Sequence, residues 1–233
     1  MLGGVLLGAA AVVAVAIAIS SSGSSNSAPK PTSTAAKQQA STVNTLLAGI
    51  PQSGVTLGSP TAKVTVTEYG DLECPVCRDF ALGAENNLIS NDVKSGKVKL
   101  VYKSLETATG NGPDPGVFPT QQAAAYAAGQ QGKAWYYIEL FYHEQGQEGT
   151  AYVIPDYLDG LAQQVPGLAY STWLTASKSP SLTAQVTADQ QAAAAQGFNS
   201  TPTIVVQGPT GQAQPIVGNT DYGTLESEIK SVS

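Results

Sequence analysis

The chain has 233 residues, 42% apolar and 12% charged, with two Cys and one His. That is too apolar for disorder and too long for a disulfide-stapled miniprotein, and two Cys with one His cannot supply the four ligands of a structural zinc. A net charge of -6 and a pI of about 4.7 leave no electrostatic footprint for nucleic acid.

From Met1 to Ile19 every residue is apolar or Gly, and no charge precedes Lys30. A run of roughly 20 such residues is long enough to span a bilayer as a helix. Ala16, Ala18 and the serines beyond Ile19 also permit cleavage as an export signal. Residues 1–20 therefore read as a transmembrane anchor or a signal segment, and both place the rest of the chain in the cell envelope as an extracytoplasmic domain, membrane-anchored or secreted. Residues 21–50 are mostly Ser, Ala, Thr, Gln and Pro, which predicts a flexible linker, with local structure starting only near Asn44.

Val55–Leu57 and Lys63–Tyr69 read as strands; in the second, Val64, Thr65, Val66 and Thr67 alternate apolar with polar. Gly70 to Glu73 is a turn. A helical pattern runs from Pro75 to about Gly96 with Phe80, Leu82, Leu88 and Ile89 on one side. Val98, Leu100 and Tyr102 alternate again as a strand, and a strand–helix–strand crossover favours parallel pairing. Helical segments then follow at Thr120–Gln131, Lys133–Gln145, Asp156–Gln164, Tyr170–Ser177 and Leu182–Gln196. Strands return at Thr203–Val206 and Gln214–Val217, with hairpin chemistry between them at Gly208 to Gly211. A last helix runs from Asp221 to Val232. The fold class is α/β: parts 51–103 and 196–233 bracket a helical insertion over 104–195.

The two cysteines stand at Cys74 and Cys77. A Cys-x-x-Cys at a strand-to-helix transition puts the first sulfur at the helix N-terminus, where unpaired N–H groups and the macrodipole favour a thiolate. Pro75 suits the first turn because its missing N–H has no intrahelical partner there. Cys77 falls one turn inside, as a buried resolving thiol. A bridge closing so small a loop constrains the unfolded chain little, so redox chemistry is favoured over a structural disulfide or a shared metal. His143, with Glu139 one turn back, reads as a polar helix face. The aromatic group Trp135, Tyr136, Tyr137, Phe141 and Tyr142 reads as insertion core rather than a substrate groove.

Val66 to Cys77 (VTEYGDLECPVC) resembles the active-site strand and turn of DsbA-like thiol–disulfide oxidoreductases of the thioredoxin superfamily. Ser200 to Val206 (STPTIVV) is similar to that family's cis-proline loop and the strand after it, and the helical insertion is similar as well. The resemblance spans nearly everything after Gly54 and implies a thioredoxin-like fold. It implies that Glu68 is the buried acid moving protons to and from the resolving thiol. It also implies that Pro202 is the loop residue that is cis, lying against the Cys pair. Pro75, Val76 and the Thr201 backbone would then meet an extended substrate segment. Pro75-Val76 lacks the His of the strongly oxidising members, and Ser200 stands where Gly is more usual.

The implied activity is thiol–disulfide exchange with exported proteins, most directly as an oxidase and without a cofactor or a metal. A substrate thiolate would attack Cys74, and a membrane redox partner would restore the disulfide. A reductase or isomerase, or a tethered binding or sensor domain on the same fold, are the competing readings.

Overall fold

The computed structural model describes residues 33–233. The anchor or signal over 1–20 and most of the linker's first half lie outside the described residues. Among the described residues, no helix is long and apolar enough to cross a membrane.

The chain enters the domain earlier than its composition suggests. Helix α1 covers Thr34–Leu47, capped by the Ser33 hydroxyl, which accepts from the Ala36 N–H at 3.0 Å. Ala36, Val43 and Leu47 are buried, and Ala40 packs against the core. These four recur at spacings of four, three and four, which is one helix face. The flexible linker expected over 21–50 is thus corrected from residue 34 onward, because the low-complexity composition hides a helical stripe that docks on α6 and α7, described below. We expect Leu47→Ala to lower stability by roughly 2–5 kcal/mol in urea unfolding. A change within error would mean that α1 is not part of the folded unit.

After the short strands β1 (Gln52–Ser53) and β2 (Thr56–Leu57), strand β3 spans Val64–Gly70. Next comes a long helix assembled from α2 (Pro75–Phe80), a π turn (Ala81–Glu85), α3 (Asn86–Leu88) and a second π turn (Ile89–Val93). Strand β4 (Val98–Ser104) lies parallel to β3, as the crossover predicts. Six helices follow: α4 (Ala108–Asn111), α5 (Phe118–Gly129), α6 (Ala134–His143), α7 (Pro155–Gln164), α8 (Tyr170–Ala176) and α9 (Pro180–Ala195). The chain then returns to the sheet with β5 (Thr203–Gly208), β6 (Gly211–Gln212) and β7 (Ile216–Val217), and ends in α10 (Tyr222–Val232).

The strand order is β1-β2-β4-β3-β5-β6, with β7 pairing β5, so β3 lies between a parallel and an antiparallel neighbour. Its pleat sends Val64, Val66 and Glu68 to one face and Thr65, Thr67 and Tyr69 to the other. The long helix after β3 and α10 pack together on the first face, within the main core. On the second face Tyr69, Leu105, Ala193 and Val205 form a smaller cluster beneath α9. The aromatic residues Trp135, Tyr136, Tyr137, Phe141 and Tyr142 are all buried in α6, so they are core and not groove.

Candidate active site

The site is built where β3 ends. The Asp71 carbonyl accepts from the Cys74 N–H at 3.0 Å, closing a tight turn, and the Cys74 carbonyl accepts from the Arg78 N–H at 3.1 Å to start α2. Cys74 is the helix N-cap, with its sulfur accepting from the Cys77 N–H at 3.4 Å, and Pro75 occupies the first turn. Both cysteines are free thiols and both are buried, Cys74 with 5% of its surface exposed. Val76 beside them is 39% exposed, so the face next to Cys74 is apolar and open.

The two thiols have opposite proton affinities. Hydrogen bonding from the Cys77 thiol lowers the Cys74 pKa to about 6; burial opposes this, while the Thr201 side chain and the backbone N–H groups of Cys77 and Val76 add to it. Burial pushes the Cys77 thiol well above its ordinary value, with the Cys74 thiol and the Glu68 charge acting in the same direction. A low-pKa sulfur at a helix N-terminus next to a high-pKa partner is the arrangement that suits an attacking thiol and a resolving one. In the reduced protein, alkylation of Cys74 should be half-maximal near pH 6 and level off above it, while Cys77 stays unreactive. A midpoint near the ordinary thiol value of about 8.5 would contradict this.

Across from the pair, the Thr201–Pro202 peptide bond is cis. The Cys74 thiol donates to the Thr201 carbonyl at 3.6 Å, so in the dithiol form this carbonyl, expected to be free for substrate, is engaged by the enzyme's own sulfur. The Thr201 and Thr107 hydroxyls are hydrogen-bonded, and the Gly218 N–H donates to the Pro202 carbonyl at 2.8 Å, fixing the loop from both sides.

Glu68 is fully buried beneath the pair, on the same face of β3 as Val64 and Val66. Burial is the main reason its pKa is raised, to about 8; the neighbouring Glu85 and Tyr142 side chains work against this, while the Cys74 charge adds to it. Gly70 makes the space: a Cβ there would come within 2.9 Å of Glu68 Oε1 and 2.8 Å of Tyr102 Cε2. Glu139 is a correction to the sequence reading. It lies in α6 with no exposed surface and does not form a polar face with His143. Every other residue from Ala134 to Tyr142 is also buried, and a helix apolar almost all round leaves no solvated side for it.

Two residues that organise the site were not singled out in the sequence. Asp71 is fully buried. Its Oδ1 accepts from the Glu73 N–H (3.0 Å) and the Thr109 hydroxyl (2.6 Å), and its Oδ2 from the N–H groups of Thr107 and Thr109 (2.9 Å each). The catalytic turn is thereby tied to the segment that also holds Thr201. Gln145, just past α6, donates from Nε2 to the carbonyls of Leu72 (2.7 Å) and Cys74 (3.1 Å). An Asp in a turn is a common signal; Gln145 has none in the sequence.

A strand-to-helix dithiol facing a cis-proline loop on a sheet of this order defines the class: a thiol–disulfide oxidoreductase of the thioredoxin superfamily. The family model described as Thioredoxin (Thioredoxin_4) matches residues 51–216, and the chain belongs to that family. Its fold is DsbA-like. Oxidised BdbD from Bacillus subtilis is similar at 21% identity and TM-score 0.65, over 78% of this chain and 95% of that one. DsbA2 from Pseudomonas aeruginosa is similar at 24% identity and TM-score 0.60 (79% and 97% covered). DsbA from Chlamydia trachomatis is similar at 18% identity and TM-score 0.62 (76% and 90% covered). No curated protein matches the sequence.

Proposed function

We propose that the protein acts outside the cytoplasm as an oxidase that donates the Cys74–Cys77 disulfide to exported proteins. The observation that carries this reading is the split between the thiols, with Cys74 lowered to about 6 and Cys77 raised. A stabilised thiolate favours the dithiol over the disulfide, which makes the disulfide form an oxidant. The Glu68 carboxyl and the cis Thr201–Pro202 bond beside the pair support the roles assigned to them, as does the fold shared with the DsbA and BdbD structures.

A thiolate of a reduced, unfolded substrate attacks Cys74 Sγ, the Cys74–Cys77 bond breaks, and Cys77 leaves with the electron pair. Glu68 protonates the leaving sulfur. The substrate's second thiolate then attacks its own sulfur in the mixed disulfide and releases Cys74 as a thiolate. Val76 and Pro75 border the substrate chain on one side, and the Thr201 backbone pairs with it on the other once the Cys74 proton is gone. A membrane redox partner returns the pair to the disulfide, and the N-terminal segment keeps the domain near that partner or exports it.

The test is to mix the oxidised protein with a reduced, unfolded test protein. Stoichiometric disulfide transfer is expected; no transfer, with the dithiol form instead reducing a disulfide-bonded test protein in the same buffer, would make it a reductase.

A further inference from the structure

We infer that Glu68, Glu85 and Glu139 form one proton-sharing unit beneath the cysteine pair, so that the proton gained or lost by Cys77 is drawn from three carboxyl groups and not from Glu68 alone. The inference rests on the exchange reading above and extends it to two residues that reading does not use.

The three carboxyl groups arrive from three elements: Glu68 from β3, Glu85 from the end of the first π turn, and Glu139 from α6. All three residues have no exposed surface, and none of their six carboxyl oxygens has a hydrogen-bond partner. Glu85 lies on the side of the helix that carries Cys77 and Ala81, eight and four residues back, and its turn packs against α6.

The groups facing the unit are Cys74 and Cys77 from α2, Tyr102 from β4 and Tyr142 from α6; Tyr126 of α5 and Asp71 of the active-site turn lie beyond Tyr102. None of these is a cation, and no ion pair among the described residues involves the three glutamates. Nor is any group of three or more such side chains among the described residues arranged to hold a metal ion.

Three buried carboxylates without a counter-charge cannot all ionise, since each charge is costly to bury and raises the affinity of its neighbours for protons. The directions agree: burial is the first cause of the raised proton affinity at each glutamate, and the charge of another glutamate adds to it at Glu85 and Glu139. Protons are therefore stored in the unit, and one negative charge can spread over it. When the disulfide is reduced, the Cys77 sulfur leaves with the electron pair, takes one proton from the unit and leaves one charge on it. When an incoming disulfide accepts electrons from the dithiol, Cys77 returns that proton. Glu85 and Glu139 touch neither sulfur nor substrate in this scheme; they hold protons and set the affinity of Glu68.

The experiment is infrared difference spectroscopy between the disulfide and dithiol forms, following the carboxylic acid C=O band against pH. The full chain is compared with Glu68→Gln, with Glu85→Gln/Glu139→Gln, and with the triple variant. In each sample the cysteine pair is first shown to cycle between disulfide and dithiol. The wild-type band should titrate in more than one step, as coupled sites do, and the double variant in a single one-proton step. Glu68→Gln should keep part of the redox-linked band, and the triple variant should lose it. A wild-type titration complete in one step, or loss of the whole band in Glu68→Gln alone, overturns the inference. The wild-type result decides even if a variant fails to fold. A pair that does not cycle would instead overturn the exchange reading, and this inference with it.

Discussion

Replacing Cys74 with Ser should abolish thiol–disulfide exchange, whereas Cys77→Ser should still attack and then accumulate as mixed disulfides with its substrates. The asymmetry follows from position. Cys74 caps the helix, carries the lowered pKa and lies beside the open face at Val76, while Cys77 has no exposed surface. A substrate can therefore reach only one sulfur, and in Cys77→Ser the enzyme has no second thiol to break the mixed disulfide that this sulfur forms. Oxygen cannot replace sulfur in either role, because a hydroxyl forms no exchangeable bond with a thiol. The check is non-reducing gel electrophoresis and oxidation of a reduced test protein. Full activity in Cys74→Ser, or trapping through Cys74→Ser instead of Cys77→Ser, would contradict the assignment.

Asp71→Ala should have the largest effect on stability of any change at the site outside the cysteines. Its carboxyl accepts four hydrogen bonds, three from backbone N–H groups and one from the Thr109 hydroxyl, and has no exposed surface. Removing the acceptor leaves those donors without a partner, at about 1–3 kcal/mol for each one that stays buried. Local rearrangement will rescue some of them, so we expect a loss of roughly 3–5 kcal/mol in denaturant unfolding. The turn that presents Cys74 is held by the same carboxyl, so its alkylation midpoint should rise toward the ordinary thiol value even where the variant remains folded. Asp71→Asn, which keeps one acceptor oxygen, should lose less. Equal stability of Asp71→Ala and the wild type would contradict this account of the turn.

Much of the site was legible because its chemistry is local. The Cys-x-x-Cys spacing, Pro75 after the first sulfur and the turn before it place a thiol at a helix end from sequence alone. Glu68 was named through the family resemblance, and the structure places it on the inward face of β3 with Val64 and Val66. Pro202 needed the family resemblance, because no local rule brings residue 202 against residue 74.

What was missed depends on packing between distant elements. Glu85 was not singled out, although it stands four residues after Ala81 and three and four before Leu88 and Ile89, on the buried side of the helix. Glu139 looked like half of a polar face because the reading paired it with His143; the apolar residues on both sides of it were the better signal. Ala36, Ala40, Val43 and Leu47 were concealed by composition, since small residues at helical spacing resemble a linker until the surface they cover is known. Gln145 holds the Leu72 and Cys74 carbonyls across more than 70 residues of chain, a contact that local pattern cannot show.

The central claim is that Cys74 and Cys77 form one exchange-active couple poised as an oxidant, and its most direct test is a redox titration of the pair in glutathione buffers. Lowering the Cys74 pKa to about 6 favours the dithiol at pH 7 by about 1.4 kcal/mol, or roughly 30 mV for a two-electron couple. The account predicts a single two-electron transition at a potential above about -270 mV, where thioredoxin lies, and below about -120 mV, the value for the strongest oxidants of this fold. A potential below that range, or a pair that does not equilibrate with glutathione, would contradict it.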